Sequence, residues 1–160
     1  MALAHSFSIA TPLPPERIAH ELKDIGAAAG LLDAAVTPES LLGEGAVTVG
    51  GTYLRVVEKR PQPWSPLVTD LGITPSVGVA FRLAKHMDLA RQEDDVVRLA
   101  CGLLRRIPGD AVLQYHVETV WLLRRGDDLS LDERDDLWSP RRLGEVPAPF
   151  RRATHAFSED

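Results

Sequence analysis

The sequence lacks most of the residue patterns that mark disulfide-bonded, metal-binding, membrane-spanning or catalytic proteins. Each missing pattern counts against one class of function for this chain. Cys101 is the single cysteine in 160 residues, so neither an intramolecular disulfide nor a multi-cysteine zinc site can form. No apolar run approaches the roughly 18 residues that a membrane-spanning helix needs. The first residues, MALAHSFSIATPLPP, lack the basic and apolar regions of a signal peptide. We therefore expect a cytoplasmic protein without a membrane segment.

Local catalytic and phosphate-binding motifs are also missing. The glycine pairs at 43–45 and 50–51 fit neither a phosphate loop nor a dinucleotide-binding loop, and no serine-hydrolase signature occurs. The five histidines show no HxH or HExxH spacing, although His5 and His116 lie on predicted strands and could meet in space. Cys101 falls beside an apolar helix stripe, which favours a small buried thiol over a nucleophile. We expect no enzyme activity, no cofactor and no metal.

The charge balance restricts the class of partner. The chain has 18 Lys and Arg against 23 Asp and Glu, a formal net charge of −5. Such a charge disfavours a general surface for nucleic acid or anionic membrane, because both repel it. A cationic partner protein is compatible with it.

Hydrophobic periodicity indicates strands alternating with two long helices. Amphipathic stripes at helical spacing predict helices over residues 15–29 and 88–107, with a shorter helix starting at Thr37-Pro38-Glu39. Gly50-Gly51 between two β-rich runs predicts a hairpin with a primed turn. Strands are predicted over residues 3–11, 46–49, 52–59, 76–85, 111–123 and 129–131.

The order of these elements predicts an α+β fold. Short connections between neighbouring strands favour a mainly antiparallel sheet, with the two main amphipathic helices packed on one face in a two-layer arrangement. Residues 1–160 are expected to form a single globular domain. The proline-containing residues 139–160 are predicted to be a C-terminal tail that wraps over the surface, with Phe150 and Phe157 as anchors.

The run 111–123 is the longest strand-like stretch. One predicted face carries apolar or aromatic residues. The other is mixed and expected to face solvent in its first half, and it is apolar towards its end. We therefore expect both faces of the strand to be buried at Val120 to Leu123, either because it is a central strand of the sheet or because it forms a dimer contact. The predicted core face is Ala111, Leu113, Tyr115, Val117, Trp121 and Leu123.

The densest charge in the chain follows this strand. Its carboxylates lack the spacing of an EF-hand loop, so a metal site is disfavoured, and two readings remain: a solvated turn with a helix start, or a surface for a basic partner. Trp64 and Trp138 are candidate interface aromatics if they are exposed. The candidate carboxylates are Asp127, Asp128, Asp132, Glu133, Asp135 and Asp136.

Segments spread over nearly the whole chain resemble one family of small bacterial proteins. The segments are MALAHSFSIATPL, TDLGITPSVGVAFRL, QEDDVVRLACGLL, PGDAVLQYHVETVWLLRR, LDERDDLW and PFRRATHAF. They are similar to immunity proteins of the swarming-inhibition (Sit) toxin–immunity systems. The resemblance implies a non-enzymatic protein that protects its producer by binding and neutralising a cognate polymorphic toxin delivered between neighbouring cells. It supplies no binding residues.

Two other functions stay open at the level of sequence. A small-molecule binder or enzyme would have a site between sheet and helices, lined by residues such as Tyr115, His116 or Glu118. A homodimeric adaptor would associate through the doubly apolar end of the long strand, Val120 to Leu123. The sequence leaves monomer and homodimer undecided.

Overall fold

The computed structural model describes residues 3–116 and 118–157, and in this part of the chain an eight-stranded sheet carries five helices. The strands are β1 (Leu3–Ala10), β2 (Ala46–Val47), β3 (Tyr53–Glu58), β4 (Val77–Leu83), β5 (Asp110–Tyr115), β6 (Thr119–Arg125), β7 (Asp128–Leu131) and β8 (Arg151–Arg152). The helices are α1 (Pro15–Ala28), α2 (Pro38–Leu42), α3 (Pro66–Thr69), α4 (Leu89–Arg106) and α5 (Pro140–Leu143).

The sheet has the order β2-β3-β4-β1-β5-β6-β7-β8. Every pair is antiparallel except β7 and β8, which are parallel. The two main helices, α1 and α4, pack on each other and on one face of the sheet, here called the inner face. The predicted α+β class is therefore confirmed, with both long helices close to their expected limits.

Apolar alternation explains why this inner face forms the core. On β4 the side chains of Val77, Val79 and Phe81 point inward and are at most 1% exposed. The stripe of α4 lies over the sheet, and the helix starts where the Asp88 carboxylate accepts a hydrogen bond from the Arg91 amide (3.1 Å). Burial of these two complementary surfaces holds the layers together.

The hairpin around Gly50-Gly51 is present, but its turn differs from the predicted primed type. Thr48 pairs with Thr52, so the loop has three residues, and only the second glycine has a positive φ (99°). The Thr48 hydroxyl accepts a hydrogen bond from the Thr52 amide (3.1 Å), which fixes this wider register. A three-residue loop with glycine in the left-handed position is the next common hairpin after the two-residue one.

The prediction of one long strand over 111–123 is wrong. The chain reverses after β5, where His116 has a positive φ of 52°, and returns as β6 beside β5. Val117, which was placed on the core face, lies outside the described residues. Apolar alternation continues through both strands, so the sequence pattern gives no sign of the reversal.

A bulge in β6 also changes the predicted faces. Leu113 pairs with Leu122, whereas Gln114 pairs with Val120, so Trp121 is the extra residue. Trp121 and Leu122 therefore both belong to the inner core. Leu123, predicted on the core face, lies instead in a second apolar cluster with Val120.

This second cluster covers the β5–β7 half of the opposite face, here called the outer face. Leu71 and Ile73, from the loop that follows α3, pack on Val120 and Leu123, and Phe157 packs at the edge. The prediction that this face meets solvent at the start of the run is therefore wrong as well, because Val112 and Gln114 are both buried. The homodimeric adaptor was proposed because Val120 to Leu123 needed cover on both faces. The chain itself supplies that cover, so this argument for a homodimer no longer holds.

The predicted tail contains two elements, α5 and β8. Strand β8 pairs with β7 through Ser130 and Leu131, and Phe157 reaches the second cluster, whereas Phe150 is 37% exposed. Residues 158–160 lie outside the described part of the chain.

Candidate functional site

The acidic segment, residues 127–136, spans the β6–β7 turn, strand β7 and the loop that follows it. Gly126 with φ of 59° forms the first position of a two-residue turn, which leaves Asp127 exposed at the tip. Asp132 is buried, whereas the other five carboxylates of the segment are exposed. The five exposed carboxylates differ in the contacts that they make with the rest of the chain.

Asp132 is only 4% exposed and serves the fold. Its Oδ1 accepts hydrogen bonds from the Arg134 amide (2.9 Å) and from the Arg134 side chain (3.2 Å). A carboxylate that binds the amide two residues on stabilises a tight turn. Asp132 must therefore be removed from the predicted partner surface, because its oxygens face its own turn.

The C-terminal residues neutralise several other carboxylates. Arg151 donates to both oxygens of Asp128, at 2.8 and 2.9 Å, and this ion pair lowers the pKa of the aspartate. Arg152 lies 3.7 Å from Asp135, and Glu133 accepts a hydrogen bond from the Thr154 amide (3.2 Å). The acidic segment thus holds the C-terminal strand in place.

Of the five exposed carboxylates, Asp127 and Asp136 have no hydrogen bond or salt bridge within the described residues, and Asp135 has only the 3.7 Å contact with Arg152. The side chain of Asp135 is 97% accessible to solvent. Together these three carboxylates leave a reduced acidic patch at this end of the sheet.

The two predicted interface tryptophans have opposite environments. Trp138 is 1% exposed, packs edge-on against Trp121 with ring centroids 6.4 Å apart, and donates from Nε1 to the Trp121 carbonyl (3.0 Å). It is a core residue, so its assignment to the partner surface is corrected. Trp64 lies in the loop before α3 and is 75% exposed. It remains a candidate contact.

Arg142 is a buried cation that the sequence did not single out. Its Nε donates to Asp94 (2.6 Å), another of its nitrogens donates to the Leu137 carbonyl (2.9 Å), and its guanidinium lies 5.6 Å from the centre of the Trp121 ring. These contacts tie α5 to α4 and to the tryptophan pair. Arg141, its sequence neighbour, is 82% exposed at the side chain, so no local pattern distinguishes the two.

The other half of the outer face, over β3, β4 and β1, has a different composition. Alternation turns Leu54 and Phe81 inward, so the residues next to them face outward. Small side chains occupy the middle of this half of the outer face, and cationic side chains lie at its margins. Two adjacent cross-strand rows are Tyr53–Arg82–Ala4 and Arg55–Ala80–Ser6.

Lys59 adds a third cation to this half of the outer face. We call the whole surface the basic face, and define it as Arg55, Lys59 and Arg82 around a floor of Ala4, Ser6 and Ala80. The lysine chain crosses Gly78, where a Cβ would lie 2.5 Å from its Cε, and its amine donates to the Ser6 hydroxyl (3.2 Å). Burial of this side chain lowers the pKa of the amine. A groove of about 430 Å³ runs over Ala4, Ser6, Tyr53 and Arg82 to His116.

Sequence reasoning missed the basic face because Arg82 lies on a different strand, far along the chain from Arg55 and Lys59. The alternation of the 52–59 and 76–85 runs already placed Arg55 and Arg82 opposite the apolar residues. What it did not supply is the pairing of β3 with β4, which brings the two arginines into adjacent rows.

The residues considered for chemistry occupy unreactive environments. Burial raises the pKa of the Cys101 thiol to about 12, so it stays protonated. His5 is 2% exposed between Tyr115 and Trp121, and burial lowers its pKa to about 4. Within the described ranges, no group of three His, Cys, Asp or Glu side chains could hold a metal ion.

The space between sheet and helices, where a small-molecule site was considered, is occupied by the apolar core. His116 and Glu118 instead line separate open grooves at the surface. Among the described helices, none has both the length and the apolar character needed to cross a membrane.

Comparison with known proteins gave one match. The model of a family described as SitI3-like matches residues 3–142, which include both main helices and all strands except β8. Neither curated proteins nor solved structures included any significant match to the chain.

Proposed function

The chain belongs to the SitI3-like family, and from this membership we propose that it is an immunity protein that binds and neutralises a cognate toxin delivered between bacterial cells. The family suggests an immunity-type protein of a toxin system, in agreement with the resemblance seen in the sequence. The match over residues 3–142 is the observation that carries the proposal. It covers the whole sheet apart from β8, so both the acidic patch and the basic face lie within the matched region.

Neutralisation in this proposal is by binding and not by catalysis. The groups best suited to covalent or acid–base chemistry are held in unreactive forms: a protonated Cys101 thiol and a neutral, enclosed His5. The exposed features include charged surfaces and Trp64, and proteins recognise other proteins through groups of these kinds. Protection should therefore be stoichiometric.

We also place the protein in the cytoplasm, where it would meet the toxin after delivery. The observation that favours this location is the single cysteine, which is buried as a free thiol. Cell fractionation with an antibody to the unmodified chain tests it. Recovery in the membrane or periplasmic fraction would contradict the assignment.

The proposal is tested with the toxin domain encoded beside this chain. Cells that express the toxin domain should stop growing, and co-expression of this chain should restore growth. A version of the toxin inactivated in its own active site should co-purify with the chain and bind it in calorimetry at a fixed ratio. Absence of both rescue and complex would refute the function.

Binding and catalysis are separated by measuring the toxin itself. After incubation with this chain, intact-mass spectrometry should find the toxin unmodified, and dissociation of the complex should restore toxic activity. A permanent mass change produced by substoichiometric amounts of this chain would show an enzyme instead.

A further inference from the structure

We infer that the basic face is the docking surface for an acidic segment of the toxin, an inference that rests on the proposed function. The cations Arg55, Lys59 and Arg82 surround a floor of small residues on strands β1, β3 and β4. Among residues 3–116 and 118–157, no element lies over that floor as the second cluster lies over the other half of the sheet. A partner segment would complete the outer layer there.

The shape of the outer face supports a segment in this position. Leu71, Ile73 and Phe157 form a layer over one half of the sheet, and this layer ends beside the other half. Ala80 is exposed and Ser6 and Ala4 are partly exposed, so the backbone of a partner can approach closely. The groove of about 430 Å³ marks the space that such a segment would enter.

The charges identify the chemistry of the occupant. None of the three cations forms a salt bridge within the described part of the chain. Arg82 lies 5.8 Å from the centre of the Tyr53 ring, and Lys59 has one hydrogen bond, to Ser6. Arg82 lines the groove, and Arg55 and Lys59 lie next to its lining residues Ala80 and Ser6. Cations without an acidic partner attract carboxylates, both by steering the encounter and by ion pairing at contact.

An acidic protein segment fits these observations better than a nucleic acid. Three cations would neutralise few phosphates, whereas specific nucleic-acid surfaces use more, and the net charge of −5 repels a polyanion at longer range. A protein segment with a few carboxylates matches the small number of cations and meets weaker repulsion.

The first experiment reverses two charges of the face and compares the effect with a matched control. R55E/R82E changes exposed side chains outside any salt bridge, so the fold should persist, as checked by circular dichroism and melting temperature. K23E/R105E is the control. It changes the net charge by the same amount, but on helices α1 and α4, which cover the inner face. The native side chains of Lys23 and Arg105 each donate to one backbone carbonyl.

Association with the inactivated toxin is then measured by surface plasmon resonance at low salt. R55E/R82E should associate at least about tenfold more slowly than the unaltered chain, and K23E/R105E within about twofold of it. Equal rates for R55E/R82E and K23E/R105E, with binding by the unaltered chain intact, would refute the inference and leave the proposed function standing. No binding by the unaltered chain would refute the proposed function.

A second experiment tests the face without the toxin. A short poly-L-glutamate peptide is titrated into the isotope-labelled full chain, and backbone amide shifts are followed by NMR. Shifts should concentrate at Arg55, Ala80 and Arg82, should disappear in R55E/R82E, and should weaken as salt is added. Shifts centred on the helical side, or no shifts at low salt, would overturn the inference.

Discussion

The acidic segment and the basic face carry opposite charges, and they differ further in how much of that charge the fold uses. In the acidic segment, Asp128 and Asp132 bind arginines of this chain, and Glu133 binds a backbone amide. On the basic face, Arg55 and Arg82 have no acidic partner within the described residues. The dense cluster in the sequence is thus mostly structural, whereas the dispersed cations are available.

This difference shows that charge density along a chain is a poor measure of binding capacity. A group that already has a partner must lose it before it can bind another, and the loss offsets much of the new interaction. Groups without a partner at a solvent-facing groove have no such cost. The basic face is therefore the better candidate surface, although only the acidic segment was apparent from the sequence.

The largest expected effect is on stability, at Trp138, two residues beyond the acidic segment. Trp138→Ala should lower the free energy of unfolding by about 3–5 kcal/mol, because it removes a buried ring packed on Trp121. Urea denaturation measures this. Trp138→Phe keeps most of the ring and loses the hydrogen bond to the Trp121 carbonyl, so it should cost less. A fully stable Trp138→Ala protein would contradict the structural role.

Acid sensitivity should arise from His5 beneath the sheet and not from the acidic segment. The folded-state pKa of His5 is about 4 against 6.5 for the free side chain, so between these values the folded state binds fewer protons than the unfolded state. Stability therefore falls as pH drops through this window, by on the order of 3 kcal/mol in total.

His5→Phe supplies the control, because a phenyl ring fills similar space and does not titrate. As pH drops through this window, the melting temperature of the unaltered protein should fall further than that of His5→Phe. Equal falls in the two proteins would show that His5 contributes nothing to acid sensitivity. Comparing the two also removes the contribution of Glu93 and Asp95, whose raised pKa values act in the opposite direction. Asp128, with a lowered pKa, should act only below the pH range in which His5 titrates.

A smaller effect is expected when the exposed acidic patch is reversed. D127K/D135K/D136K should change the association rate with the toxin by no more than about threefold at low salt. The same surface plasmon resonance assay compares it directly with R55E/R82E. If the acidic triple variant slows association more than the basic double variant, the ranking of the two regions is reversed.

The smallest expected effect is at the exposed pair of Asp128 and Arg151. The two side chains are half-exposed or more, so Asp128→Asn should destabilise the protein slightly and only at low salt. A double-mutant cycle with Arg151→Gln isolates the pair. A large coupling that persists at high salt would mean that the C-terminal strand depends on this contact far more than its exposure suggests.

Local pattern predicted the elements well and their long-range relations poorly. The stripes of α1 and α4 and the alternation of β1 and β4 depend on burial of a regular face, which is visible in any single segment. The reversal at His116 did not interrupt the apolar pattern, because the middle residues of both β5 and β6 are buried on both faces. The bulge at Trp121 then exchanged the faces of Leu122 and Leu123.

The candidate surfaces were limited by the same missing information. Whether a carboxylate is free depends on residues far along the chain, as with Asp128 and its partner Arg151. Likewise, Trp64 and Trp138 both follow polar or proline-containing loops, and only the packing of Trp121 separates the exposed ring from the buried one.

Both outer strands of the sheet, β2 and β8, are only two residues long, and β8 consists of two arginines. Such edges offer few unpaired amides and carbonyls, so strand addition by another chain is poorly templated. A partner must therefore recognise side chains on a face and cannot rely on main-chain pairing, which is largely independent of sequence. Recognition of this kind can be altered by single substitutions, so specificity for one toxin can change while the backbone stays the same.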